Sequence, residues 1–310
     1  MQRWRGIGAT PRGWGRSVVT IGVFDGVHRG HQFVIGRAVA AAREAELPSV
    51  VITFDPHPSE VVRPGTHPPV LTELDRRGDL IAELGADGLC VLPFTREFSQ
   101  LPPESFVHDV LVGYLHAAHV VVGENFRFGH KAAGNIETLK RLGREFGFTA
   151  EAMAPVGDDA TIFSSTFVRT CVDAGDVETA AEALGRPHRL SGLVVRGADR
   201  GGTQLGFPTA NLRHSPHAAV PADGIYAGYL HWAGSGPRAA AISVGTNPTF
   251  SGTDRTVEAY LLDFDGDLYG EPVDLDFVTR LREQRTYESL PPLIAQIEAD
   301  VADTRKVLGV

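Results

Sequence analysis

Through the first 180 residues, short apolar, β-branched blocks alternate with stretches in which apolar residues recur every three or four positions. "SVVTIGVF" (17–24) is the first block, apolar enough for a strand buried on both faces. From His31 to about Glu46, Val34, Ala38 and Ala42 recur at helical spacing with Ile35 and Val39 beside them. The same reading predicts strands over 49–54, 88–94 and 118–123. It predicts helices over 71–84, 103–115 and 136–146, and two shorter ones over 165–174 and 176–184. Strands alternating with helices imply βαβ units and a parallel sheet, with ligands beyond the carboxyl ends of the strands.

Past "ALGRPHRLSG" (183–192) the helical period disappears until about residue 289. Short β runs at 192–197, 224–232, 238–245, 256–264 and 273–278 lie between turn-forming Gly, Pro, Asn and Asp. That spacing predicts a small antiparallel barrel, closed by an amphipathic helix over roughly 289–307. The pattern therefore divides the chain into an α/β domain, 1–186, and an all-β domain, 187–310. At 310 residues each has enough chain for its own core.

Charge narrows the chemistry. A formal charge of −9 argues against broad nucleic-acid binding, which needs a basic face to displace counterions. Phosphate chemistry must then rest on local donors, which suits a small nucleotide. Two cysteines, Cys90 and Cys171, support neither a disulfide framework nor a cysteine metal site. "MQRWRGIGATPRGWGRS" has no apolar stretch of signal-peptide length, and no run reaches the ~18 apolar residues of a membrane span. These features predict a cytoplasmic protein with no membrane partner and leave self-association open. The first sixteen residues suggest no function.

The candidate chemistry begins at "GVFDGVHRGH" (22–31), where Phe24-Asp25-Gly26 turns out of the first strand. A helix start offers unpaired N–H groups and a partial positive charge, and His28 and His31, three apart, share a face there. Gly30 between them would let a phosphate approach the backbone. An incidental pair of histidines in a solvated turn is the plain alternative, and the position outweighs it. No G-x-x-x-x-G-K-[ST] loop occurs in the chain. In "FSSTFVR" (163–169), Ser164, Ser165 and Thr166 offer hydroxyls at a predicted helix start, and Arg169 adds a planar fork of donors.

H-x-G-H at this position resembles the signature of the nucleotidylyltransferase superfamily, and S-S-T-x-x-R resembles its second signature. "TFDPHP" (53–58), "VVGENFRFGHKAAGN" (121–135), "GFPTAN" (206–211), "GIYAG", "SVGTNPTF", "TVEAYLLDF" and "DLYG" follow in order. From about residue 17 to 307 the chain resembles the bacterial bifunctional riboflavin kinase/FMN adenylyltransferase (FAD synthetase) family. That resemblance implies a Rossmann-like adenylyltransferase domain followed by a six-stranded riboflavin kinase barrel. ATP, riboflavin and FMN are the implied substrates, and Mg²⁺ the cofactor.

The resemblance also assigns residues. Glu258 would be the base that activates the riboflavin hydroxyl, with Thr209 and Asn211 at the metal. His28 and His31 would stabilise charge during adenylyl transfer, since the FMN phosphate, with its second pKa near ~6, needs no base. Gly22, Phe24, Gly30, Asn125, Ser164, Ser165, Thr166 and Arg169 would contact ATP, as would Gly197, Gly202 and Gly206 of a glycine-rich loop. Phe54, Asp55, Pro56, Pro58, Phe126 and Phe128 would line one flavin site, and Arg285 and Tyr287 the other. Asn125 stands where many family members carry Asp. The alternation places Glu258, Tyr260 and Leu262 on one face, a charge on an otherwise apolar side. Two other readings stay open at this level. One is an H-x-G-H transferase for another phosphorylated substrate with a barrel that only binds; the other is a flavin-binding protein without turnover.

Overall fold

The computed structural model describes residues 1–157, 161–196, 207–246 and 255–310. These form two compact units, one of Met1–Pro68 with Glu73–Ser164 and one of Pro69–Thr72 with Ser165–Val310.

The first unit is the expected α/β layer structure. It runs through β1 (Gln2–Arg5), β2 (Ser17–Ile21), α1 (Arg29–Glu44), β3 (Ser49–Asp55), α2 (Pro58–Val62), α3 (Leu74–Glu83) and β4 (Gly88–Pro93). Then follow α4 (Pro103–Phe106), β5 (Ala117–Gly123), α5 (Ile136–Phe146) and β6 (Thr149–Met153). The sheet order is β1-β4-β3-β2-β5-β6, every pairing parallel. From β2 the chain winds outward through β3 and β4, then returns to β5 on the other side. The order therefore reverses between β2 and β5, where a doubly wound sheet opens a crevice for ligands.

Alternation within the strands feeds both faces. Val19, Ile21, Val50 and Ile52 join Leu111, Leu139 and Leu142 in one buried cluster, while Val51, Leu89 and Val91 join Ile35, Val39 and Ile81 in another. Burial of this kind, at roughly 25 cal/mol per Å² of apolar surface, drives the layering. The Cys90 thiol lies in the first cluster, and desolvation pushes its pKa up to about 12.

Local differences have physical causes. The block at 17–24 is not the first strand, because β1 precedes it on the sheet edge beside β4. Its sequence "QRWR" has one apolar residue in four, so no alternation announces it. Trp4 anchors it, packing on Trp14 at 5.1 Å between ring centroids. Strand β6, "TAEAM", was equally silent, since Ala and Glu have low β-propensity. The helix expected over 103–115 continues past α4 as a π-helix over Val107–Tyr114.

The second unit holds α6 (Ser165–Ala174) and α7 (Val177–Leu184), followed by the barrel. The barrel strands are β7 (His188–Val195), β8 (Ala210–His214), β9 (Gly224–Trp232), β10 (Arg238–Thr246), β11 (Arg255–Leu261) and β12 (Pro272–Arg282), with α8 (Leu290–Leu308) last. The barrel closes in the order β10-β11-β8-β7-β12-β9, all antiparallel. Leu190, Tyr226, Leu230, Ile242, Val257, Leu275 and Phe277 fill its interior.

Candidate active site

The H-x-G-H stretch lies at the carboxyl end of β2, on the reversal point of the sheet. His28 is the N-cap of α1: its Nδ1 accepts the backbone N–H of His31 at 3.4 Å. In a neutral ring that contact leaves the proton on Nε2, so Nε2 is the donor. The His28 and His31 rings stack with centroids 3.6 Å apart and planes 27° from parallel. The edge of His31 meets Phe24 at 5.2 Å. Two imidazolium charges this close would repel each other, and an anion at the helix start offsets that cost.

Gly30 has a tighter reason than the one its sequence suggests. A Cβ there would lie 3.0 Å from His28 Cε1 and 3.2 Å from the carbonyl oxygen of Phe163. The glycine lets the His28 ring, and the chain entering the second signature, close over the first turn of α1. Ser164 follows Phe163 directly, and Ser165, Thr166 and Arg169 lie in the first turns of α6.

The turn before His28 is strained and stapled. Phe24 has φ +53° and Val27 φ +40°, left-handed values that are unfavourable for bulky residues and most of all for a β-branched one. The ring of Phe24 covers Gly22. Arg77 of α3 donates through Nη1 to the Val23 carbonyl at 3.0 Å, and its Nη2 lies 3.6 Å from Asp25, both side chains being buried. Thr53 Oγ1 also donates to Val23 O at 2.8 Å, and Gln32 Nε2 to Val27 O at 2.8 Å. The sequence reading missed Arg77, because nothing at that position on a helix tells which distant turn it holds. Replacing Arg77 by Met leaves Asp25 buried without this partner. We expect a loss of about 3 kcal/mol from the unfolding free energy of this unit, measured as a lowered urea midpoint of the α/β transition.

A cavity of about 910 Å³ opens at the same strand ends. Four of the expected flavin residues line it, Phe54, Pro58, Phe126 and Phe128, together with Gly22. Phe94, Phe98 and Phe106, unforeseen in the sequence, complete the aromatic wall. Phe126 and Phe128 lie parallel within 13° at 5.5 Å, while Phe54 meets Phe94 edge-on at 5.6 Å. Arg63, Arg96, Arg127 and Lys131 also line it, giving an apolar slot with cations around it. Asp55 and Pro56 do not line this cavity. Asp55 pairs with Arg5 at the end of β1 at 2.6 Å, and Pro56 is exposed. Pro58 is the first residue of α2, capped by His57, and not part of an open turn. Asn125 is exposed, two residues past the end of β5.

In the barrel, Glu258 and Asn211 are cross-strand partners, and Thr209 Oγ1 donates to Glu258 Oε2 at 3.1 Å. The strand alternation around Glu258 is regular: Glu258 and Tyr260 share a side as expected, while Leu262 lies beyond the strand. Val257, Ala259 and Leu261 point into the barrel core, while Glu258 and Tyr260 are half-buried on the other side. Tyr260 meets Phe207 edge-on at 5.3 Å, placing aromatic surface on the Glu258 side. Leu262, past the end of β11, is buried.

The segment after β12 returns to the same side. Gln284 Nε2 donates to Ser243 Oγ at 2.9 Å, and Ser243 is the cross-strand partner of Glu258 on β10. Arg282, tied to Asp300 of α8 through two contacts of 2.7 and 2.6 Å, fixes the start of that segment and has its pKa raised by that carboxylate. Arg285 is exposed, and the Tyr287 hydroxyl is buried with no hydrogen-bond partner among the described residues. Gly197, Gly202 and Gly206 lie outside the described residues, as do most of "GADRGGTQLGF" and the end of "SVGTNPTF".

A parallel sheet with stacked imidazoles on a helix start, beside an apolar cavity ringed by cations, defines a nucleotide-handling transferase. The barrel, with its carboxylate, hydroxyl and amide side by side, has the donors a phosphotransferase needs. Comparison with known proteins makes this particular. The FAD synthetase family model matches residues 11–167, and the riboflavin kinase model residues 184–308. The bifunctional riboflavin kinase/FMN adenylyltransferase of Listeria monocytogenes is 38% identical over 292 residues, 93% of this chain and 91% of that protein. Its namesakes are similar too: that of Escherichia coli K12 is 34% identical, covering 94% of this chain and 93% of its own, and that of Pseudomonas fluorescens 38%, covering 93% and 92%.

The chain belongs to the bifunctional riboflavin kinase/FMN adenylyltransferase family. Its fold also matches a crystal structure described as a macrolide-efflux protein from Streptococcus pneumoniae, with TM-score 0.89 and 31% identity over 98% of this chain and 99% of that one. Among the described residues no helix is long and apolar enough to cross a membrane.

Proposed function

We propose that the chain makes FAD from riboflavin in two ATP-dependent transfers, with FMN as the product of the first and the acceptor in the second. In the barrel, the terminal hydroxyl of riboflavin attacks the γ-phosphate of ATP, giving FMN and ADP. In the α/β domain, the FMN phosphate attacks the α-phosphate of a second ATP, giving FAD and pyrophosphate. The functional division is placed near residue 186, close to where the riboflavin kinase match begins at residue 184.

One observation carries the adenylyl-transfer half. The stacked His28–His31 pair at the start of α1 shares the Gly22 end of β2 with the phenylalanine-lined cavity. A flat ring system has aromatic surfaces to lie against, and its phosphate end has a helix N-terminus to meet. The cavity also falls within the ~300–1,000 Å³ of ligand clefts. His28, through Nε2, and His31 spread the charge that builds on the α-phosphate and the leaving pyrophosphate. Gly22, Phe24, Gly30 and Asn125 belong to the nucleotide side. Ser164, Ser165, Thr166 and Arg169 supply further donors to the triphosphate. Phe54, Pro58, Phe126 and Phe128 hold the flavin ring.

In the barrel, Glu258 takes the proton of the riboflavin hydroxyl, a poor nucleophile while it keeps that proton. Kinases and adenylyltransferases of this family use a divalent metal with ATP, and we assign Mg²⁺. The Thr209 hydroxyl, the Asn211 amide oxygen and the Glu258 carboxylate are hard oxygen donors that sit together, as that ion requires. Thr209 and Asn211 would hold it, and it would neutralise phosphate charge during the transfer. Gly197, Gly202 and Gly206, outside the described residues, would contact the ATP phosphates by resemblance. Arg285 and Tyr287 close over the flavin; the Tyr287 hydroxyl, buried with no hydrogen-bond partner among the described residues, supports that reading.

The partners are small molecules; the charge of −9 supports neither nucleic acid nor an acidic membrane surface. The ATP requirement and two free, buried thiols favour the cytoplasm. Self-association is compatible with this reading.

The test is to incubate the purified chain with riboflavin, ATP and Mg²⁺ and chromatograph the flavins over time. FMN should rise first and FAD follow. FAD formed only from supplied FMN would confine the activity to the α/β domain. Flavin bound with no ATP consumed would make this a binding protein.

A further inference from the structure

We propose that Arg280, on barrel strand β12, is a positioning residue for adenylyl transfer, because it caps the C-terminal end of α6, whose first turns carry Ser165, Thr166 and Arg169. The inference rests on the reading that this second signature serves adenylylation. Helix α6 belongs to the same compact unit as the barrel strands, and barrel groups close its end. Nη1 of Arg280 donates to the Ala174 carbonyl at 3.5 Å and Nη2 to the Asp223 carbonyl at 2.8 Å. Its backbone N–H donates to Glu178 of α7 at 3.2 Å.

The same guanidinium lies 6.0 Å from the centre of the Tyr226 ring. The Tyr226 hydroxyl donates to Ala222 O at 2.6 Å, and the Ala222 N–H donates to Val172 O of α6 at 3.3 Å. Gly175 ends the helix beneath these groups with φ +78°. A Cβ there would lie 2.6 Å from the Tyr226 hydroxyl and 3.2 Å from Arg280 Cζ. The fit leaves no slack.

A cation at a helix C-terminus satisfies its last carbonyls and opposes the negative end of its dipole. A helix of this length, about 15 Å, transmits orientation as a short rod, so its capped end determines where its first turn lies. The other end is tied within the same unit. Nε of Arg169 donates to Pro69 O at 2.6 Å. The neighbouring Val70 donates its N–H to His217 O at 2.6 Å and accepts that of Ala219 at 2.9 Å. The unit that carries the kinase barrel thus holds both ends of a helix that the other reaction uses. In the closed barrel β12 stands three strands from β11, which bears Glu258, whichever way round one counts. A substitution at Arg280 should therefore spare the kinase.

The full-length chain tests this with Arg280→Ala, Arg280→Lys and Arg169→Ala, each assayed for adenylylation of supplied FMN and for phosphorylation of riboflavin. In Arg280→Ala the KM for ATP in adenylylation should rise about tenfold, the size of a well-placed helix-end charge, with a smaller fall in kcat. Kinase kcat and KM should hold within about twofold. Arg280→Lys, which keeps the cation at the helix end, should recover most of the KM. Unchanged adenylylation in Arg280→Ala, beside a clear loss in Arg169→Ala, would overturn the positioning role alone. Equal loss of both activities, unrelieved by lysine, would reduce Arg280 to a prop of the barrel and overturn it too. A silent Arg169→Ala would sink the reading of the second signature itself.

Discussion

Replacing His28 with alanine should lower the rate of FMN-to-FAD conversion by about 10³ while FMN production from riboflavin continues unchanged. The imidazole does two jobs, and the substitution removes both. As N-cap it accepts the His31 N–H, a contact whose loss costs about 1 kcal/mol of helix stability. In the role proposed for it, a donor through Nε2 that stabilises charge on the reacting phosphates, its loss would appear in kcat. His28→Ser separates the two. Serine caps well, so thermal stability should return to the parent value, but its hydroxyl is too short to replace Nε2, so the rate should stay low. His31→Ala should lower kcat similarly, since His31 forms the other half of the ring stack. Stopped-time chromatography of FMN and FAD, with thermal melts of each variant, reads all three. A His28→Ala protein that adenylylates FMN within about threefold of the parent would refute the role given to this helix start.

The converse is expected at the barrel. Glu258→Gln preserves volume and can still accept the Thr209 hydroxyl, so the β11–β8 pairing should survive. An amide cannot take the proton of the riboflavin hydroxyl, and loss of a general base typically costs about 10²–10⁴ in rate. FMN formation should fall by about 10³, while FMN supplied from outside is adenylylated at the parent rate. Because each domain reports on the other, unfolding is recognised by loss of both activities. FMN formation unaffected by Glu258→Gln would leave the proton with another acceptor and end the assignment.

How much could be read beforehand varies with the range of the interaction. The H-x-G-H stretch was legible because a helix start after a buried strand is a local signal, carried by neighbours within ten residues. Glu258 was legible only through resemblance, although the side of the strand it shares with Tyr260 was readable from the alternation. That Val257, Ala259 and Leu261 form the inward side becomes clear only once the barrel interior is known. Strand β1 was illegible, since "QRWR" gains its burial from Trp14 and the edge of β4. The aromatic wall of the cavity joins Phe54 and Phe128, named from the sequence, to Phe94, Phe98 and Phe106, whose segments are unremarkable alone.

From the order of its residues, then, this protein's two architectures, their sequence along the chain and the placing of H-x-G-H and S-S-T-x-x-R at helix starts were determined. Hydrophobic period and turn chemistry act over a few residues, and so appear in any window of the chain. Only the tertiary structure decided that Arg77 staples the Asp25 turn, that Glu258 sits beside Thr209 and Asn211, and that Arg280 closes α6. Those partners lie tens to more than a hundred residues apart. Nothing in the local sequence encodes their meeting, which arises when apolar burial brings separate elements together and buried polar groups must find one another.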